Sequence, residues 1–114
     1  MGLLRNLLTR TGLLPEPITR TPEHQAEIDR QTDMLVLFCF AECPYCYRVQ
    51  RAIRRLNLNV ALRDIHHDPV AHDELLRGGG KEQVPCLRIE EPDGGTVWLY
   101  ESADIVRFLR QRFS

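Results

Sequence analysis

No stretch of this sequence approaches the roughly 18 consecutive apolar residues that a membrane-spanning helix needs, so none is expected. A dominant charge sign is missing as well: 15 Lys+Arg against 16 Asp+Glu leave a formal net charge of −1. Bulk attraction to nucleic acid or an anionic membrane is thereby excluded, and a charged partner would have to be met by a local patch. No small-residue cleavage site follows an apolar run, and there is no internal repeat. No second Cys-x-x-Cys stands beside the first, which weakens a zinc reading, since structural zinc takes four ligands.

What is present is a chain of 114 residues, 43% apolar and 27% charged, enough for one hydrophobic core and a single domain. Of the four cysteines, Cys39 lies in an apolar run and Cys86 beside Leu87, so both read as buried thiols and not as a disulfide framework. The other two form the tetrapeptide Cys43, Pro44, Tyr45, Cys46, and the set fits a reducing, cytoplasmic location.

Residues 1–14 carry leucines at 3, 4, 7 and 8 opposite Arg5, Asn6, Thr9 and Arg10, a helical period. This short amphipathic helix is expected to dock on the domain or fray, the alternative being a partner-binding helix or a membrane-surface anchor. Pro15, Pro17 and Pro22 then read as a linker, and Thr21 with Pro22 opens a polar helix to about residue 31. The boundary falls near residue 33, dividing an extension (1–33) from a domain (34–114).

Residues 34–40 are continuously apolar, as in a strand buried on both faces. Pro44 fits the first turn of a helix over 44–57, whose Val49, Ala52, Ile53 and Leu56 keep the 3.6 period. Arg48, Arg51, Arg54 and Arg55 cover the rest of it, read as a solvated face with an anion site as the alternative. Residues 59–66 are strand-compatible, and Asp68 with Pro69 opens a helix through Arg77 that Gly78, Gly79 and Gly80 end. Strands over 84–90 and 96–100 form a hairpin, and a last helix from Ser102 turns Ile105, Val106, Leu109 and Phe113 to the sheet. The order β-α-β-α-β-β-α implies an α/β fold with a four-stranded mixed sheet, its first two strands parallel and its last two antiparallel.

The cysteine pair falls where a buried strand meets a helix start. Unpaired N–H groups and the positive helix end there favour a thiolate at Cys43, and only the thiolate attacks a disulfide. Cys46 lies one turn on, within reach for an intramolecular disulfide. His66, His67 and His72 are the only later histidines, at no recognised metal spacing, and the first two read as loop-edge residues; no metal is expected.

The tetrapeptide resembles the active site of dithiol glutaredoxins, and a second match follows in order at Gly80, Lys81, Glu82, Gln83, Val84, Pro85. A third, Tyr100, Glu101, Ser102, Ala103, Asp104, stands where glutaredoxins carry Gly-Gly-x-Asp and is similar to the Glu-Ser of glutathione transferase N-terminal domains. The resemblance covers residues 34–114 and implies a thioredoxin-like fold. It implies a cis Val84–Pro85 bond facing the cysteines and a glutathione site formed by Tyr45, Lys81, Val84, Pro85, Glu101 and Ser102. Ser102 also reads as a plain N-cap. Two departures stand out: Phe40 replaces the family's lysine three residues before the first cysteine, with Lys81 the nearest substitute, and Glu101 and Ser102 replace Gly-Gly. Cys86 reads as core packing, the alternative being a place close to the cysteine pair, Tyr45 as cleft lining, and Trp98 as packed in the hairpin or on the surface.

The expected function is glutathione-dependent reduction of disulfide-bearing or glutathionylated proteins by Cys43 and Cys46, with glutathione as co-substrate. A non-catalytic glutathione-binding or adaptor module and an iron–sulfur carrier are the alternatives. At this length a complete transferase, with its all-helical second domain, is not expected.

Overall fold

The computed structural model describes residues 16–114, so the helix expected over 1–14 lies outside the described residues. Four strands form one sheet in the order β2-β1-β3-β4. Strand β1 (Leu35–Cys39) runs parallel to β2 (Ala61–Asp64) and antiparallel to β3 (Cys86–Glu90), which pairs antiparallel with β4 (Thr96–Leu99). This is the four-stranded mixed sheet expected from the element order, in the thioredoxin-like arrangement that the resemblance implied.

Side chains alternate across the sheet as the period of two requires. Leu35, Leu37, Leu87 and Ile89 face one way, onto helices α1 (Pro22–Thr32), α2 (Pro44–Arg55) and α4 (Ser102–Phe113), whose Ile28, Val49, Ile53, Ile105, Leu109 and Phe113 complete the larger core. Phe38 and Cys86 face the other way, against Ile65 and the Ala71 and Leu75 side chains of the third helical segment. Met34, expected inside the first strand, lies ahead of β1 and is exposed. Val84 and Pro85, expected to open β3, precede it in a bend, since proline has no N–H to give to the ladder; the peptide between them is cis.

That third segment departs from the plain helix expected over 68–77. Asp68 caps α3 (Pro69–Glu74), its carboxylate accepting from the N–H groups of Val70 and Ala71 at 3.1 Å each. The chain then widens into a π-helical turn, Leu75–Gly79, before Gly80 ends it at φ +86°. The glycines do more than stop a helix. A Cβ on Gly78 would stand 2.2 Å from the Trp98 ring, and one on Gly79 would stand 2.0 Å from the Tyr100 hydroxyl. Glycine is required here by the close approach of two aromatic side chains from the β4 side of the sheet.

Residues 16–33 are bound to this body. The Ile18 N–H donates to the Arg55 carbonyl at 2.9 Å, Gln25 donates to the Asn57 carbonyl at 2.9 Å, and the Arg20 guanidinium reaches the Phe113 carbonyl at the end of α4. Asn57 takes φ +55°, a conformation that asparagine tolerates better than most residues. Ile28 is 5% exposed in the larger core. Ile28→Ala is therefore expected to cost about 2–4 kcal/mol, read by urea denaturation, against a near-zero effect if residues 16–33 were a free appendage.

Candidate active site

The register of the sheet builds the site. Phe38 pairs with Cys86 across β1 and β3, so two steps further along the same antiparallel register Phe40 comes level with Val84. The loop carrying the first cysteine and the cis Val84–Pro85 step thus meet at one end of the sheet. On the other side of β3, Leu87 pairs with Leu99, which brings Tyr100 level with Cys86 and Glu101 level with Pro85, and α4 begins at the next residue.

Cys43 occupies the N-cap of α2 in an extended conformation (φ −89°, ψ 113°), with Pro44 as the first helical residue. Its Sγ accepts the Cys46 N–H at 3.3 Å, the place a serine or aspartate oxygen takes at ordinary helix starts. Such a bond strengthens when the acceptor is ionised. On its other side the Cys43 thiol lies 3.9 Å from the Val84 carbonyl oxygen. Cys43 is 8% exposed and Cys46 1%, so the first thiol is the one a substrate can approach.

Burial pushes the Cys46 thiol up to about 12, with its hydrogen bond to Cys43 acting in the same direction and a Phe40 backbone bond opposing. Cys39, read from sequence only as a core thiol, packs in the same cluster as Cys43 and Cys46, between Phe40 and Val84, and its thiol is raised by burial and then by the nearby Asp64. Cys86 belongs to the smaller core on the opposite face, as its apolar neighbours suggested, and burial raises it to about 12.

Two fully buried thiols near 12 have a consequence for stability. An unfolded cysteine ionises near pH 8.5, so at higher pH the unfolded chain releases protons that the folded chain keeps. Stability then falls with rising pH, by about 1.4 kcal/mol per unit for each thiol until the folded values are reached. Denaturation at pH 8 and pH 10 is expected to differ by about 2–4 kcal/mol, and Cys86→Ala should remove about half of that difference. An unchanged midpoint across this range would contradict it.

The remaining expected site residues are placed as follows. Tyr45 is 63% exposed on the first turn of α2. Lys81 extends over the Tyr100 ring at 5.2 Å, and the Tyr100 hydroxyl donates to the Lys81 carbonyl at 3.3 Å. The lysine is thus engaged with Tyr100, beside Cys86. Phe40 stacks on His66 at 4.1 Å, and His66 lies 3.9 Å from Glu42. Val84 is half-buried and its N–H finds no acceptor among the described residues, while Pro85 is buried. Ser102 is not the N-cap: Glu101 holds that position with no side-chain capping bond, and Ser102 is the first helical residue, 8% exposed. The Val84 N–H and the first N–H groups of α4 are donors of the kind that bind an extended peptide and its carboxylate, and Glu101 is an acceptor for an ammonium.

Among the described residues no three His, Cys, Asp or Glu side chains converge to hold a metal ion, and no helix is long and apolar enough to cross a membrane.

Residues 42–112 match the glutathione S-transferase N-terminal domain family, and the chain belongs to that family. The maleylacetoacetate isomerase of Anaeromyxobacter dehalogenans 2CP-1, solved with bound dicarboxyethyl glutathione and citrate, is 27% identical with a TM-score of 0.53. The match takes in 70% of this chain but only 37% of the isomerase, so the chain spans little more than a third of that enzyme. Glutathione transferase Omega 2C of Trametes versicolor, at 20% identity and a TM-score of 0.57 over 69% of this chain and 37% of its own, shares the fold. The thioredoxin-like protein BC3987, at 22% identity and a TM-score of 0.53, is matched over 68% of this chain and 96% of its own. No curated protein matches the sequence.

Proposed function

We propose that this protein is a glutathione-dependent thiol–disulfide oxidoreductase in which Cys43 attacks and Cys46 resolves. The observation that carries the reading is Cys43 at the helix start, its sulfur taking the Cys46 N–H at 3.3 Å and facing Val84. The Cys43 thiolate attacks the glutathione sulfur of a mixed disulfide. A Cys43–glutathione disulfide forms, the old S–S bond breaks, and the released partner thiolate takes a proton from water. A second glutathione thiolate then attacks the same glutathione sulfur, returning Cys43 and leaving oxidised glutathione. Alternatively Cys46, once deprotonated, attacks the Cys43 sulfur and expels glutathione. With its thiol near 12, Cys46 is a reluctant nucleophile, which favours the route through a second glutathione. In this reading the glutathione peptide pairs with Val84 beside Pro85, with Glu101 and the start of α4 at its γ-glutamyl end and Tyr45 and Lys81 at the rim.

Family membership favours a second reading, in which glutathione itself is the nucleophile toward an electrophilic carbon, as in a transferase or isomerase. One experiment separates the two: glutathione-dependent reduction of a small mixed disulfide and glutathione conjugation to chlorodinitrobenzene, on wild type and Cys43→Ser. Disulfide turnover that Cys43→Ser abolishes supports the first. Conjugation that survives Cys43→Ser, with no disulfide turnover in wild type, replaces it with the second.

A further inference from the structure

Helices α2 and α4 lie side by side on the sheet, and their outer faces leave an open cleft of about 900 Å³. Arg48, Arg51 and Arg55 stand on the α2 wall and Arg107 and Arg110 on the α4 wall, all exposed, with Glu16 the only carboxylate in the lining. Of these five guanidinium groups only Arg107 has a carboxylate within salt-bridge distance among the described residues, Asp104 at 2.7 Å. The charge is segregated, since the whole chain carries a net −1. It is also entirely arginine: the single lysine of the sequence, Lys81, lies elsewhere. Arginine forks take carboxylates in bidentate geometry, which lysine does not. Like charges one turn apart weaken a helix, so these stripes are an intrinsic cost that a negative ligand would relieve.

Pro44 and Tyr47, on the first turns of α2, form one end of the cleft, next to Cys43. We infer that the cleft binds an acidic segment of the protein whose disulfide reaches Cys43. This deepens the proposed oxidoreductase reading and rests on it. From Cys43 to Arg48 is about 7 Å along the helix axis and to Arg55 about 18 Å. In an extended peptide those distances correspond to about two and five residues. The preferred substrate therefore carries Asp or Glu two to five residues from its disulfide-bearing cysteine. A long polyanion such as nucleic acid fits less well, because it would also meet the acidic remainder of the surface.

The test uses the full chain and two glutathionylated decapeptides that differ only in three Glu or three Ala at those positions. Small-molecule turnover is measured on the mixed disulfide of glutathione and mercaptoethanol. The acidic peptide should show a kcat/KM about tenfold above the alanine peptide, and Arg51→Glu with Arg110→Glu should cancel the preference, as should 0.5 M salt, while the small disulfide is turned over unchanged. Arg48→Ala with Arg107→Ala, a milder pair, should reduce the preference in the same direction if the reversed pair folds poorly. Equal kcat/KM for the two peptides, or a reversal that slows all three substrates alike, overturns the inference.

Binding is read separately by fluorescence anisotropy with the same peptides carrying serine in place of cysteine. If wild type turns over no disulfide, the oxidoreductase reading fails on its own, and tight acidic-peptide binding lost in the reversed pair still supports the cleft. Tighter binding of a single-stranded oligonucleotide than of the acidic peptide overturns it.

Discussion

Cys43→Ser is expected to lower glutathione-dependent reduction of a small mixed disulfide by a factor on the order of a thousand or more, because an alcohol at this helix start has no accessible anion to attack sulfur. Cys46→Ser should keep most of the turnover on the same substrate. Cys46 is 1% exposed and its thiol is raised to about 12, so in the proposed cycle the small substrate is expected to be turned over through Cys43 and a second glutathione. The two variants assayed together give opposite results on one readout. Equal loss in both would mean that the intramolecular disulfide is an obligatory intermediate, and full activity in Cys43→Ser would remove Cys43 from the chemistry. Replacing Cys43 also takes away the sulfur that accepts the Cys46 N–H, but serine is a good N-cap, so the helix start should hold and the loss should be chemical.

Phe38→Ala should be the most destabilising single truncation in the smaller core, at about 3–5 kcal/mol. Phe38 has no exposed surface, lies 5.6 Å from the Trp98 ring, and is flanked by the guanidinium groups of Arg63 at 6.0 Å and Arg88 at 5.8 Å. Both arginines pair with Glu74 at 2.9 Å, and Arg63 also pairs with Asp68 at 3.1 Å. Removing the ring opens a cavity beneath an ion-pair network that ties α3 to the sheet. The expected fall in melting temperature is on the order of 15 °C, seen by circular dichroism, against a few degrees at most for Leu62→Ala on the exposed edge strand. A loss below about 1 kcal/mol would mean that the α3 layer collapses into the gap. The network also sets an acid limit. Glu74 is held below the ordinary glutamate range chiefly by its hydrogen bond to Arg63, and Asp68 is lowered first by the Ala71 N–H and then by Arg63. Their contribution is complete above the unfolded carboxylate values near pH 4 and is lost as pH falls through the lowered folded ones.

The framework of this fold was legible because each element carries its own local signal. The apolar run around Leu37, the 3.6 period of Val49, Ala52, Ile53 and Leu56, and the Asp68–Pro69 helix start all depend on neighbours in the chain. What was not legible depends on partners far away in sequence. Gly78 and Gly79 read as a helix stop, whereas the reason for glycine is the approach of Trp98 and Tyr100. Nothing around Cys39 announced that it would pack with Cys43 and Cys46. The arginines of α2 gave no sign that Arg107 and Arg110 would face them across a cleft, because that depends on how α2 and α4 dock. Ser102 sat one position away from its expected cap role, a shift that local sequence seldom resolves at a helix end.

Trp98 is the only tryptophan in the chain, and it sits between the Phe38 ring and Gly78 with the Arg88 guanidinium 6.0 Å above it. The protein thus carries a built-in optical reporter, and its fluorescence belongs to one layer only. Emission will follow the docking of α3 and its glycine turn, while unfolding of the α1, α2 and α4 layer is read by other means, such as helical circular dichroism. If the two signals move together on denaturation, the layers unfold as one; if the tryptophan moves first, the α3 face opens while the thiol-bearing helix is still in place.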